Sequence, residues 1–324
     1  MNWCMVSPGR LREAGILGMN HRNVDLISRL NPRRLYPLVD NKLKTKIALA
    51  GAGIAAPRLI GTLQTQHDIA DFADLVGPLD GFAIKPGRGS GGKGILVIVQ
   101  RRGGNFVKAS GTEVDLDTLK FHVSNILSGL FSLGGTPDVA FVEDLVRPDP
   151  LFRDLSVEGV PDIRVIVYRG FPVMAMLRLA TRASDGKANL HQGAVGVGLR
   201  LADGQAIRAV QFSKNLESHP DSGVPLKCIL IPEWGRILTL ATRCADTTGL
   251  GYLGADIVLD RQRGPLVLEL NARPGLAIQM TSRAGMLPRI AAIDALDAVD
   301  FRRPPEQRTE IVRRLFAASA TPAL

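Results

Sequence analysis

The chain has 324 residues, 45% of them hydrophobic, and a formal net charge of +9. That length supports two or three packed layers and more than one lobe. Its longest apolar runs, such as Ile95–Val99, are far too short to span a bilayer, and Met1 to Ser7 offer no apolar segment of signal-peptide length. Cys4, Cys228 and Cys244 are odd in number and lack metal-type spacing, which fits a reducing cytoplasm better than a disulfide framework. With three Tyr, two Trp and only short basic pairs such as Arg33-Arg34 and Arg313-Arg314, the positive charge suits small acidic ligands better than a nucleic-acid surface.

From the N-terminus, residues 1–39 are rich in Arg and Pro with little periodicity, and Asn31-Pro32-Arg33-Arg34 marks a turn, so the stretch reads as a cap segment. Asp40 then stands at an N-cap position for a helix from Lys42 to about Ala52, ended by Gly53 and Pro57. A mixed pattern follows. Strands are expected near 58–61, 81–85, 94–100 and 139–142, and helices near 66–75 and 115–130, making residues 40–142 a first α/β lobe. A second lobe over 143–324 carries strands near 162–168, 172–178 and 194–201, a helix near 231–247 and a late hairpin.

The loop Gly87-Arg88-Gly89-Ser90-Gly91-Gly92-Lys93-Gly94 formally matches two phosphate-binding patterns, and both fail on context. As a G-x-G-x-x-G motif it should open a helix, yet Ile95–Val99 reads as a strand. As a Walker loop, Gly92-Lys93 should precede Ser or Thr, and Gly94 stands there instead. What remains is a β-hairpin flap whose bare N–H groups can close over phosphates, with Lys85 at the strand end supplying positive charge. The plainer alternative is an ordinary glycine-rich turn.

In the late hairpin, Gly254–Asp260 and Pro265–Asn271 flank the polar turn Arg261-Gln262-Arg263-Gly264. With strand period two, Glu269 and Asn271 share a face, and folding about Gln262-Arg263 sets Asp256 opposite Glu269. Carboxylates so placed repel each other. Apolar neighbours such as Ile257, Val258, Val267 and Leu268 imply cover on both faces, so the acids need a compensating charge, most simply a divalent cation. A solvated acidic edge is the alternative.

These motifs fall in one order: the flap with Lys85, then Phe141-Val142-Glu143-Asp144-Leu145-Val146, Asp162-Ile163-Arg164, Asn189-Leu190-His191-Gln192-Gly193, and Asp256 with Glu269-Leu270-Asn271-Ala272-Arg273-Pro274-Gly275. The set, over roughly residues 38–285, resembles the ATP-grasp superfamily and in particular the alpha-L-glutamate ligases of the RimK type. Asn31–Asp40 and Lys187–Ala194 look like the alpha-L-glutamate ligase-like subfamily, itself similar to the sugar-transfer-associated ATP-grasp group.

The resemblance implies a two-lobed α/β (α+β) ATP-grasp fold and an ATP- and Mg2+-dependent ligase. Such an enzyme joins a carboxylate, here glutamate or a similar amino acid, to an amine or peptide through an acyl phosphate. Under the resemblance Lys42 and Lys85 reach phosphate oxygens, Gly89, Ser90, Gly91 and Gly92 lie over the β and γ phosphates, and backbone groups from Glu143 through Asp144 to Val146 read the adenine edge. Asp256, Glu269 and Asn271 match the ligands of Mg2+, with two ions expected and Mn2+ as a substitute. Arg164, Arg178 and Arg273 match cations that hold the phosphoryl group or the substrate carboxylate, while Asn189 and His191 match substrate-orienting groups.

About forty residues ahead of the first lobe are too few for the N-terminal α/β domain such ligases usually carry, so a full pre-ATP-grasp domain is not expected. The acceptor side is then open to a peptide terminus, or to completion by a partner chain or a second copy. The segment Pro148–Phe152 leaves the ribose-binding acid without a candidate. Two other readings stand beside the ligase: an ATP-grasp enzyme acting on a cell-envelope saccharide precursor, and a catalytically idle nucleotide-binding module that regulates a partner. Retention of Lys42, Lys85, Asp256, Glu269 and Asn271 argues against idleness.

Overall fold

A computed structural model of the protein describes residues 7–89, 91–156, 159–282 and 284–317. Two antiparallel sheets, each with its own core, give the two-lobed α/β architecture. The first contains β1 (Leu59–Leu63), β2 (Phe82–Pro86), β3 (Leu96–Arg102), β4 (Asn105–Lys108), β5 (Glu113–Val114) and β6 (Ala140–Asp144), in the order β1-β6-β2-β3-β4-β5. A helix over Leu116–Leu127 packs on this sheet. Asp115 caps it, accepting from the Thr118 N–H at 2.8 Å, and Leu119, Val123, Ile126 and Leu127 recur at helical spacing to meet Phe82, Ile84 and Phe106.

The second sheet contains β7 (Asp162–Tyr168), β8 (Phe171–Leu179), β9 (Val195–Leu199), β10 (Ala206–Gln211), β11 (Lys214–Leu216), β12 (Tyr252–Asp260) and β13 (Gly264–Asn271), in the order β11-β10-β9-β8-β7-β12-β13. β12 is buried along its whole length and β8 along nearly all of it. The cause is cover by helices, chiefly Trp234–Thr248, which buries Ile237, Leu238, Ala241, Cys244 and Ala245 against the sheet. Gly249 ends that helix in the left-handed conformation at φ +68°. Among the described residues no helix is long and apolar enough to cross a membrane.

The chain ahead of β1 packs on the second core, through Leu17, Leu26, Ile27, Val39, Leu49 and Ile54. Asn31 stitches it down: Nδ2 donates to the carbonyls of Tyr252 at 2.6 Å and Ala272 at 2.9 Å, and Oδ1 accepts from the Tyr252 N–H at 2.9 Å. The stretch expected to be irregular is a series of short helical turns, Pro8–Glu13, Met19–His21 and a π-helical Arg22–Ser28, each too brief for a 3.6-residue pattern to show. The helix Lys42–Gly51 is capped by Asn41, whose Oδ1 accepts from the Lys44 N–H at 3.0 Å. Asp40, expected as the cap, closes the preceding turn Pro37–Asp40.

Candidate active site

The two sheets border a cavity of about 900 Å³. Into it the fold brings Lys42, Lys85, Gly91, Gly92, Glu143, Asp144, Val146, Arg164, Arg178, Asn189, His191, Asp256, Glu269 and Asn271, from both lobes. Gly89 is not part of the lining and bridges to Ser132, and Ser90 lies outside the described residues. Arg273 is not brought to the cavity. It is exposed, 3.1 Å from Asp40 and over the Tyr36 ring at 5.2 Å, because the chain leaves β13 two residues earlier.

The acidic hairpin reaches its expected pairing by an unexpected route. Asp260 pairs with Gly264 and Ile257 with Val267, a fold about Gln262 alone that by itself would set Asp256 against Leu268. A β-bulge between Asp256 and Ile257 absorbs one residue, so Asp256 stands opposite Glu269 and Gly254 opposite Asn271.

Charge compensation also differs from expectation, since guanidinium and ammonium groups supply it. Cross-strand register pairs Asp256 with Arg164 and Asp162 with Arg178, placing all four on one face of three adjacent strands. Arg164 grips Asp256 through Nε at 2.7 Å and Nη2 at 2.6 Å. Arg178 grips Asp162 through Nε at 2.5 Å and Nη2 at 2.7 Å, and Nη2 also reaches Asp256 at 2.7 Å. The two-pronged forks expected to hold substrate are thus spent on carboxylates, leaving Nη1 of each arginine without a hydrogen bond among the described residues. Burial would raise the Asp256 carboxyl, but Arg164 and Arg178 outweigh it and hold it at about 2. Burial together with the nearby Asp256 charge outweighs Arg178 at Asp162 and pushes its carboxyl up to about 6.

On the opposite side Glu143 is clamped between two lysines, Lys46 at 2.6 Å and Lys85. Burial would raise the Glu143 carboxyl, and Lys85 and Lys46 together bring it below its ordinary value, while burial depresses the Lys46 ammonium. Lys46 escaped sequence reasoning, although its place four residues after Lys42 on one helix was a usable signal. Lys42 itself lies 2.5 Å from Glu269 Oε1.

The segment after β6 is the expected hinge, but few of its backbone groups are free. Glu143 pairs with Leu59 and Ala83 inside the sheet. Arg263, expected only as part of a polar turn, donates to Leu145 O at 3.0 Å, Asp144 Oδ2 at 3.2 Å and Asp260 Oδ2 at 3.0 Å. Val146 is left as the cavity-lining hinge residue whose N–H and C=O carry no hydrogen bond among the described residues. Ala83 and Val97 from the first sheet, with Met176 and Leu268 from the second, add apolar walls.

The flap takes the expected hairpin form, Phe82 pairing with Ile98 and Ile84 with Leu96 around the glycine loop. Its base is anchored by the Arg88 N–H to Asp138 at 2.8 Å and the Lys42 N–H to Gly87 O at 2.7 Å. Gly91, Gly92 and Gly94 have φ of +62°, +77° and +75°. A Cβ at Gly94 would meet the Phe131 ring at 2.6 Å, whereas Gly91 and Gly92 face open space.

Among the described residues no three His, Cys, Asp or Glu side chains converge as an all-protein metal cage. The hairpin offers two carboxylates and a side-chain amide, a partial set of oxygen donors that suits Mg2+ when substrate phosphates complete its shell. Asp256 Oδ1 accepts one hydrogen bond, from Arg164, and keeps a lone pair, so the donors fit the ion.

A family model described as sugar-transfer associated ATP-grasp matches residues 21–295. A probable alpha-L-glutamate ligase of Aeromonas salmonicida is 24% identical over 269 residues, covering 82% of this chain and 67% of that protein. Another, of Maridesulfovibrio salexigens, is 26% identical over 238 residues, covering 73% of this chain and 56% of that protein. The chain therefore spans between just over half and two thirds of these relatives. The solved structure of the ATP-grasp ligase PsnB, complexed with a phosphomimetic variant of minimal precursor, Mg and ADP, aligns with TM-score 0.44 and 16% identity over 82% of this chain and 61% of that one. On the family match, which takes in both sheets and the whole of the cleft between them, the chain belongs to the sugar-transfer associated ATP-grasp family.

Proposed function

We propose that the protein is an ATP- and Mg2+-dependent carboxylate–amine ligase of the cytoplasm that uses glutamate or a similar amino acid. The observation that carries this reading is the convergence of Lys42, Lys85, Arg164 and Arg178 with Glu143, Asp162, Asp256 and Glu269 around one cavity fed by both lobes, with Lys46 buried behind Glu143. In this reading the small lobe, expected from residue 40, begins near residue 59 and runs to 142; 143–324 form the large lobe, and residues 7–58, the helix Lys42–Gly51 included, pack on its core.

The nucleobase lies between Ala83 and Val97 on one side and Met176 and Leu268 on the other, with Val146 meeting its edge. The phosphates run under Gly91 and Gly92 towards Lys42 and Lys85, whose ammoniums exchange Glu269 and Glu143 for phosphate oxygens. Mg2+ held by Asp256, Glu269 and Asn271 supplies charge neutralisation at the phosphates. A carboxylate oxygen attacks the γ-phosphorus, the bond to the β–γ bridging oxygen breaks, and ADP leaves. The amine nitrogen then attacks the acyl carbonyl, the carbon–oxygen bond to phosphate breaks, and the nitrogen's proton passes to water or to His191. The Nη1 groups of Arg164 and Arg178 stabilise the developing negative charge, so positioning and electrostatics outweigh general-base catalysis.

The relatives' names support the amino-acid assignment, and the family's description supports a second reading, an ATP-grasp enzyme acting on a cell-envelope saccharide precursor. A peptide terminus, with a partner chain or second copy completing the site, belongs to the first reading. The test is a panel of amino acids and amino sugars with ATP and Mg2+, scored by phosphate release and by mass spectrometry for new amides. An amide containing glutamate or a similar amino acid supports the reading, and ATP binding without any amide removes it.

A further inference from the structure

Beside the main cleft lies a second cavity of about 210 Å³, bounded by Leu190, His191 and Ala194, by Val210 to Ser213, and by Ala277 and Met280. It shares Leu190, His191 and Ala277 with the main cavity, but none of the flap glycines, the hinge or the metal-type acids. Among its described lining residues there is no Asp, Glu, Lys or Arg. Its volume is that of roughly seven waters, matching a side chain of isobutyl to benzyl size.

One wall is built at a conformational cost. Phe212 and Ser213 form the two-residue turn between β10 and β11 at φ of +47° and +63°, where Asn-Gly is the usual solution. A bulky L residue is disfavoured there, and Phe212 gains little packing in return, being 62% exposed. Its ring leans on the loop that carries Asn189 and His191: a Cβ at Gly193 would lie 2.8 Å from Phe212 Cζ. Gln211 ties down the same loop, donating Nε2 to Gly193 O at 2.7 Å. Met280, 41% exposed, also lines the cavity and meets the same turn, its Sδ accepting from Ser213 Oγ at 4.0 Å. Strain held on an exposed aromatic beside a cavity marks a binding group better than a packing one.

We propose that this cavity is the subsite for an uncharged apolar substituent on the amine acceptor, with Phe212 and Met280 as its specificity-determining residues. The inference rests on the ligase reading of the main cleft. A substrate seated here presents its amine past His191 into the main cavity, from the side away from the hinge and flap. His191, Gln211 and Ser213 line the cavity beside its apolar side chains, but among the described residues no cation does, so an acidic substituent finds no counter-charge there and glutamate is disfavoured as the acceptor while remaining a fit acid substrate.

The test uses the full chain with ADP and Mg2+ and four blocked amines, glycinamide, L-leucinamide, L-phenylalaninamide and L-glutamate α-amide, with glucosamine as a fifth. Affinities are read by saturation-transfer NMR. At about fourfold per buried methylene, leucinamide and phenylalaninamide should bind at least tenfold more tightly than glycinamide or the glutamate amide. Phe212→Gly, which also relieves the turn, and Met280→Lys should each erase that preference while glycinamide and ADP affinities hold. Equal affinities, a preference for glucosamine or the glutamate amide, or a preference surviving both variants would overturn the subsite. Selective binding of leucinamide without amide formation from any acid would leave the subsite standing and remove the ligase reading. Amide formation with no apolar preference would do the reverse.

Discussion

Lys42 Nζ lies 2.5 Å from Glu269 Oε1, joining the helix Lys42–Gly51 to β13 across the base of the cleft. In the proposed function these groups serve a phosphate and a metal ion, so each holds the other's place until substrate enters. Glu269 is 40% exposed but Lys42 only 13%, so the pair is part-buried and worth more than a surface pair, on the order of 1–2 kcal/mol. Glu269→Gln should therefore melt within a few degrees of the wild type, yet lose at least about a hundredfold in turnover, because it removes one of the two negative charges that the site offers Mg2+. Thermal melts beside a phosphate-release assay decide it, and wild-type phosphate release would remove Glu269 from the metal site.

Glu143 presents the opposite case. Its carboxylate compensates Lys46 and Lys85, both largely buried, so Glu143→Gln strands ammonium groups in low dielectric and should cost about 3–5 kcal/mol. Lys46→Met leaves Glu143 paired with Lys85 and should cost less. Urea denaturation orders the two variants, and a Glu143→Gln protein as stable as the wild type would contradict the clamp.

The coupled acids predict a pH dependence of stability. Asp256, held at about 2 against an ordinary 3.8, contributes stability that is present above about pH 4 and lost as the pH falls towards 2. Asp162 has the reverse sign. Raised from 3.8 to about 6, it binds its proton more tightly folded than unfolded, so its stabilisation is full below about pH 4 and lost as the pH rises through 6. The stability of the wild type relative to Asp162→Asn, whose side chain does not titrate, should fall from pH 4 to pH 6.5, and a relative stability that stays level or rises would show that Asp162 titrates normally.

The flap makes a prediction of its own. Gly91 and Gly92 face open space at positive φ, so their amides should exchange rapidly in the free protein and slow when a non-hydrolysable ATP analogue is bound. Hydrogen exchange across residues 91–95 measures this, and equal rates in both states would contradict closure over phosphate.

What was legible in the sequence was mostly what period and local chemistry control. The strands Asp162–Tyr168 and Phe171–Leu179, the helix expected near 115–130 and the Asp256–Glu269 pairing all carry short-range signals. The route to that pairing did not, because the bulge at Asp256/Ile257 leaves no mark in an apolar run. Nor did the choice of counter-charge. Whether an arginine fork faces a substrate or a carboxylate depends on cross-strand register between β7, β8 and β12, which no local pattern reveals. The β10–β11 hairpin was hidden because Phe212-Ser213 is not a turn sequence and β11 spans only Lys214–Leu216.

Trapping of the activated acid tests the central claim most directly. With the amine withheld, glutamate or a similar amino acid, ATP, Mg2+ and hydroxylamine should give a hydroxamate of that acid and ADP in equal amounts, since hydroxylamine attacks the acyl phosphate in place of the acceptor. If the protein binds ATP tightly while no acid from a broad panel yields hydroxamate or stimulates ADP formation, it is not a carboxylate–amine ligase, and a nucleotide-binding regulatory module is the better description.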